Sequence, residues 1–162
     1  MNHIISVLVE NKAGVLAKIS GLFSRRGFNI DSLAVGTTED KSISRITIVV
    51  QADQRGIEQV VKQLYKLINV LKIQELDPAN IVERELVLIK VATDSKNRAE
   101  ILEIVNIFRA NIVDVAKKSL LIEITGTSTK VDALRELLDP YGILELTRTG
   151  KIASTRGSKK KI

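Results

Sequence analysis

The chain of 162 residues has no cysteine and no tryptophan, and only one histidine. Without cysteine there is neither a disulfide framework nor a thiolate zinc site. The lone His3 leaves little for a metal cluster or a histidine acid–base pair, and its place near the start reads as a frayed terminus. Serines such as Ser6 and Ser20 have no visible base and no oxyanion loop, and acids are scattered. No P-loop and no GxGxxG motif occurs. No apolar run is long enough to span a membrane. The start, "MNHIIS", has neither the charged and apolar regions of a signal peptide nor an Arg/Ser-rich transit segment. These absences argue against an intrinsic enzyme and against a membrane protein, and they point to the cytosol or an equivalent compartment such as a plastid stroma.

What is present is a globular profile, 44 % hydrophobic and 27 % charged. The formal charge of +6 raises the question of nucleic acid. It lies in "RTGKIASTRGSKKKI", residues 148–162, where Arg148, Lys151, Arg156, Lys159, Lys160 and Lys161 meet no acid. The remaining 19 basic residues balance the 19 acidic ones, so the body is neutral and the high pI belongs to a tail. Residues 151–162 read as a solvated, disordered basic end.

The periodicity gives β-α-β-β-α-β. "HIISVLV" reads as a strand. Val15, Ile19, Leu22 and Phe23 recur at helical spacing, and Arg25, Arg26 and Gly27 end that helix. "NIDSLAVGT" and "ISRITIVV" are strands joined by the polar turn "TEDKS". Asp53 caps a helix with Ile57, Val60, Val61, Leu64 and Ile68 on one face. "VLKIQEL" closes the unit. Pro78 in "DPANIVE" breaks the pattern, and the same order begins again: "ELVLIKVA"; a helix capped by Asp94 or Ser95 with Ile101, Ile104, Val105 and Phe108 inward; "NIVDVA"; "SLLIEIT"; a helix capped by Thr127 or Ser128 with Val131, Leu134, Leu137 and Leu138 inward; and "GILELTR". "GFNI" and "RANI" echo each other at Ile30 and Ile112, so a module of about eighty residues is duplicated, too long for a solenoid repeat.

The expected fold is α+β: two tandem ferredoxin-like units, antiparallel sheets with helices on one face. The expected organisation is 1–77 as the first unit, 78–83 as linker, 84–150 as the second and 151–162 as tail. Units this small are marginal alone and should pack together, dimerise, or both. RNA-binding domains share this topology but stack bases on aromatics at the sheet centre. Here Phe23, Phe28, Tyr65, Phe108 and Tyr141 all fall on helices or turns, so no nucleic-acid partner is expected.

The informative stretch is "VENKAGVL", with Asn11 and Gly14 at the mouth of the first helix. It can simply start a helix. It can also hold a free amino acid: helix-end N–H groups for the carboxylate, and a glycine permitting close approach. Asn11, Ala13 and Gly14 would form that mouth, and Asn11 and strand carbonyls would accept from the ammonium. Val15, Leu16, Ile30 and Val35 would wall the side chain. Asn29 is a second neutral polar group; if second strands met at a dimer edge, Asn29 and Ile30 of one copy would face Gly14 of the other. In the second unit the matching positions are Thr93 and Lys96, so the open glycine is not repeated.

"VENKAGVLAKISGLFSRRGFNIDSLAVG", then "ISRITIVV" and "DPANIVERELVLIKV", resemble the regulatory (small) subunits of acetolactate synthase, also called acetohydroxyacid synthase. The resemblance covers essentially everything before the basic tail. It implies that the first unit is an ACT domain, an amino-acid-binding module, and that the chain forms a homodimer with sheets joined side by side. It implies a catalytic large subunit as partner, carrying thiamine diphosphate, magnesium and FAD, with no cofactor in this chain. It further implies activation of that partner and feedback inhibition by a branched-chain amino acid, typically valine, with Asn11, Gly14 and Asn29 matching the effector loop and the adjoining subunit. The rival expectation is a free-standing amino-acid sensor controlling another enzyme or a transcription factor.

Overall fold

A computed structural model describes residues 1–157. The described chain divides into two units, residues 1–82 with the C-terminal residues from Lys151, and residues 83–150.

The first unit runs β1 (Asn2–Glu10), α1 (Val15–Arg25), β2 (Ile30–Thr37), β3 (Ile43–Gln51), α2 (Gln54–Leu64) and β4 (Val70–Leu76). Its sheet order is β2-β3-β1-β4, all antiparallel. Alternation in β1 and β3 sends Ile5, Val7, Val9, Ile46, Ile48 and Val50 to one face. There they meet Val15, Ile19, Leu22 and Phe23 of α1 and Ile57, Val60 and Leu64 of α2. Asp53 caps α2 by accepting from the Gly56 amide at 2.7 Å. α1 stops at a left-handed Gly27, φ +73°, with the Phe28 amide reaching back to the Phe23 carbonyl. Ile68 is not part of this face: α2 ends at Leu64, and Ile68 is 88 % exposed in the following loop.

The second unit repeats the order: β5 (Ile81–Ala92), α3 (Arg98–Ile107), β6 (Asn111–Val115), β7 (Ser119–Gly126), α4 (Ser128–Leu138) and β8 (Ile143–Arg148), with sheet order β6-β7-β5-β8. Val87, Ile89, Val91, Leu120, Ile122 and Ile124 pack against Ile101 and Val105 of α3 and Val131, Leu134 and Leu138 of α4. Thr127 caps α4 through the Lys130 amide. Leu137, expected inward, is half exposed, because the α4 stripe passes through Leu134 and Leu138 instead. α3 ends as α1 does, but the left-handed residue is Arg109, φ +53°, where the first unit has Gly27.

Two boundaries and one residue differ from the sequence expectation. The segment 78–83 is not a free linker. Asp77 caps a single 3₁₀ turn, Pro78–Asn80, and β5 begins at once with a buried Ile81. The basic end is not wholly irregular either. Ile152–Thr155 form β9, which pairs with β5; just past it, the Arg156 amide donates to the Asn80 carbonyl at 2.9 Å. The reason is apolar surface on the helix-free face of the first sheet, where Ile4, Val49, Leu76 and Ile81 cluster and Ala153 packs against them. Residues 158–162, the remainder of the expected tail, lie outside the described residues. Finally, His3 is not frayed. It is buried in β1, its Nδ1 2.6 Å from Glu75 Oε1 and its Nε2 3.2 Å from the Ala52 carbonyl.

Candidate functional site

The loop between β1 and α1 is held from two sides. On one side Asn11 is stitched to the β2–β3 turn: its amide donates to the Ser42 carbonyl at 2.7 Å and its Nδ2 to the Lys41 carbonyl at 3.0 Å. That turn is itself tied by Asp40, whose Oδ1 accepts from the Ser42 amide at 2.9 Å and hydroxyl at 2.7 Å. These two bonds, the hydroxyl first, hold the Asp40 carboxyl below the ordinary carboxylate range. On the other side the Glu10 amide donates to the Asn69 carbonyl, and Glu10 Oε2 accepts from Asn69 Nδ2. Lys12 Nζ lies 2.7 Å from the same carboxylate. The Lys12 hydrogen bond foremost, then Asn69, lowers the Glu10 pKa.

Within this fixed frame the start of α1 is open. The residue before the helix is Gly14, in left-handed geometry at φ +83°, and no side chain caps the end. An added Cβ at Gly14 would meet nothing within 4 Å. The amides of Ala13, Gly14, Leu16 and Ala17 have no acceptor among the described residues. No acid sits in the first turn, while Lys18 Nζ reaches Asn69 Oδ1 at 3.5 Å. Unsatisfied N–H groups, the positive end of a helix dipole and bare backbone together favour a carboxylate. Asn11 spends its Nδ2 on Lys41 and keeps Oδ1 as an acceptor.

The eight residues expected at the site do not all meet in one chain. Asn11, Ala13, Gly14 and Leu16 form the mouth and are exposed. Val35, 49 % exposed, pairs with Ile46 at the same end of the sheet, since Ile46 also pairs with Val7 near the end of β1. Ile30 pairs with Val50, which pairs with His3, whereas the mouth follows Glu10, which pairs with Ile43, so Asn29 and Ile30 stand at the opposite end, about 24 Å away along the strand. Asn29 is exposed and donates from Nδ2 to Asp31 Oδ1 at 2.9 Å. Val15 does not wall the mouth: its side chain is 5 % exposed and belongs to the core beneath α1. The sequence reading missed Asp40, Ser42, Glu10 and Asn69, which fix the loop without lining it. The D-x-S spacing in "EDKS" was the available signal for Asp40 and Ser42.

β2 and β4 are the edges of this sheet. They differ. Tyr65 leans over β4 and donates its hydroxyl to the Ile73 carbonyl, whereas among the described residues β2 pairs on one side only, with β3.

A βαββαβ unit with an uncapped glycine at its first helix defines an ACT-type domain, here followed by a second unit of the same topology. Residues 5–72 match the profile of the AHAS small subunit-like ACT domain, and residues 84–157 that of the small subunit of acetolactate synthase. A probable acetolactate synthase small subunit of Archaeoglobus fulgidus is 57 % identical over 99 % of this chain and 100 % of its own. The acetolactate synthase small subunit of Mycolicibacterium smegmatis is 56 % identical over 97 % of this chain and 92 % of its own. The crystal structure of the acetolactate synthase small subunit from Thermotoga maritima superposes with a TM-score of 0.91 at 46 % identity, covering 98 % of this chain and 99 % of that one. The chain belongs to the acetolactate synthase small-subunit family.

Proposed function

We propose that this chain is the amino-acid-sensing, non-catalytic subunit of acetolactate synthase: it activates the catalytic subunit and makes it subject to feedback inhibition by a branched-chain amino acid, valine first among them. The observation that carries this reading is the rigid loop with free amides at Ala13, Gly14, Leu16 and Ala17. The effector's carboxylate takes these amides, and its ammonium takes Asn11 Oδ1 and nearby carbonyls. Leu16 and Val35 contact its side chain.

The working form is a homodimer joined through β2, the unprotected edge of the first sheet. Antiparallel pairing of two β2 strands about an axis near Leu33 sets Asn29 and Ile30 of one copy beside Gly36 and Thr37 of the other. The mouth at Gly14 lies at that end, so two chains complete one pocket. Inhibition then follows from linkage. The effector binds the inactive arrangement of the complex more tightly than the active one, and an occupied pocket fixes how two copies meet. A buried valine side chain contributes about 1.5–3 kcal/mol, enough to reject alanine but only modest against leucine or isoleucine. Thiamine diphosphate, magnesium and FAD belong to the catalytic partner, in the cytosol or plastid stroma.

Calorimetric titration of valine, leucine and isoleucine into the purified protein, alongside acetolactate formation by the catalytic subunit with and without this chain, tests the proposal. Expected are saturable binding of at least one of the three and a stimulated activity that the same amino acid suppresses. Failure of this chain to alter the catalytic subunit's rate would refute it.

A further inference from the structure

The second unit carries the same strand–loop–helix passage, and the side chains of its loop, residues 93–98, bond back onto the loop itself. Asp94 Oδ1 accepts from the Lys96 amide at 2.8 Å and from the Asn97 amide at 2.9 Å. Asn97 Oδ1 returns the contact, accepting from the Asp94 amide at 2.9 Å and from Thr93 Oγ1 at 3.0 Å. Arg98, the first residue of α3, donates from Nη2 to the carbonyls of Ala116 at 2.7 Å and Lys117 at 3.1 Å, in the β6–β7 turn. α3 also carries Glu100 in its first turn, where α1 has no acid.

Aligned on Ile30 and Ile112, Lys96 and Asn97 stand where the first unit has Gly14 and Val15, and Arg98 stands where it has Leu16. In the first unit, among the described residues, the Gly14 amide has no acceptor and the Val15 amide has only a long contact, 3.4 Å, to the Lys12 carbonyl. In the second, a carboxylate from within the chain covers both positions. The turn carbonyls beside the loop are likewise taken by a cation from within the chain. Among the described residues the amides of Ser95 and Ala99, which align with Ala13 and Ala17, have no acceptor, but between them the Lys96 amide is held by Asp94 Oδ1 and the Arg98 amide by the Asp94 carbonyl at 3.2 Å, and the turn carries its own acid in Glu100.

We infer that the second unit is a sealed copy of the sensor, in which Asp94 and Arg98 supply the carboxylate and the cation that a free amino acid brings to the first unit. Resting on the sensing role proposed above, this fixes one amino-acid mouth per chain. It also makes Asp94 the residue that excludes ligand from the second unit. A preformed intramolecular carboxylate outcompetes a dissolved one because its position is already fixed.

The test is amide-resolved NMR on the full chain, with acetate as a carboxylate probe and valine as the full effector. In the free protein, the Lys96 and Asn97 amides should exchange at least tenfold more slowly than those of Ala13 and Gly14. Acetate and valine should shift the amides of residues 13–17 and leave 95–97 unmoved. Asp94→Gly should let acetate shift 95–97, while Asp94→Asn, whose side-chain oxygen still caps, should stay sealed. Ligand-induced shifts at 95–97 in the unsubstituted protein, or free exchange at Lys96 and Asn97, would overturn the inference. So would an Asp94→Gly protein, folded by its unchanged β5–β7 amide shifts, that leaves 95–97 silent to acetate. If valine moves neither loop but Lys96 and Asn97 are protected and Asp94→Gly opens them to acetate, the sensing role fails and the sealing of the second loop stands.

Discussion

The hydroxyl of Tyr65 reaches the main-chain carbonyl of Ile73 at 3.3 Å, and with that one bond an outer edge of the first sheet is partly occupied from within the chain. On the opposite edge, β2, the Lys151 amide reaches the Ser32 hydroxyl at 3.0 Å, but among the described residues no strand other than β3 pairs with its main chain. Assembly is therefore expected through β2. Val35→Asp sets a charge on an exposed position of that edge, close to where Asp31 of a second copy would lie. Light scattering should report a shift from dimer toward monomer, effector affinity should fall at least tenfold, and circular dichroism should be unchanged.

Gly14 can accept a side chain in space but not freely in conformation. Gly14→Ala should cost about 1 kcal/mol of stability from left-handed strain and leave inhibition measurable. Gly14→Asp adds a carboxylate among the amides that take the effector's own. Inhibition should be lost and activation of the catalytic subunit largely kept. Full valine sensitivity of Gly14→Asp would remove the effector from this mouth.

Acid should loosen the loop. Glu10 and Asp40 both have folded pKa values lowered from ordinary values of 4.5 and 3.8, Glu10 by Lys12 and Asn69, Asp40 by Ser42. A group with a depressed folded pKa stabilises fully above its unfolded value, and that contribution disappears as pH falls through the folded one. Thermal stability and effector affinity should thus hold from pH 7 to about 5 and decline below about 4. Glu10→Gln with Asp40→Asn should flatten that acid limb in a melting series.

The chain should stabilise on Arg109→Gly. Arg109 adopts φ +53° at the turn where the first unit has Gly27. Relief of left-handed strain, less the entropy glycine adds to the unfolded chain, leaves a gain of up to about 1 kcal/mol. Chemical denaturation reads this directly.

Ending the chain after Gly150 removes β9 and uncovers Ile4, Val49, Leu76 and Ile81. A loss of about 2–4 kcal/mol is expected from re-exposed apolar area. Equal stability of the shortened and the full chain in chemical denaturation would show that β9 contributes nothing to the fold.

The two sheets were legible in the sequence because one face of each strand and helix is apolar at the right period; Val7, Ile48, Ile89 and Ile122 lie where alternation sets them. Ile68 and Leu137 were misread because they keep helical spacing by accident of a helix end and of a stripe's drift. β9 was hidden: "IAST" is four residues long in a Lys/Gly/Ser stretch, and only the apolar cluster beneath it gives it a reason to be a strand. At the site, Asn11 and Gly14 were readable because their chemistry is local. Val15 fits two places by sequence, on the apolar stripe of the helix and on the ligand wall, and packing puts it in the core, because a helix's first residue faces the core or the ligand according to packing. The separation of Asn29 from Gly14 was not readable, since it depends on strand register. Arg109 gave no signal because left-handed geometry favours glycine, and only the neighbouring repeat hinted at it.

The last described strand has a temporal consequence. Residues 83–150 are an insert in a unit whose covering strand is translated after it. While the ribosome is still making that insert, the N-terminal sheet exists with its underside bare, and it gains its cover only once Ile152–Thr155 have left the exit tunnel. A nascent chain stalled before Ile152 should therefore be a client for chaperones that bind greasy sheet surface, and release from them should follow the emergence of β9.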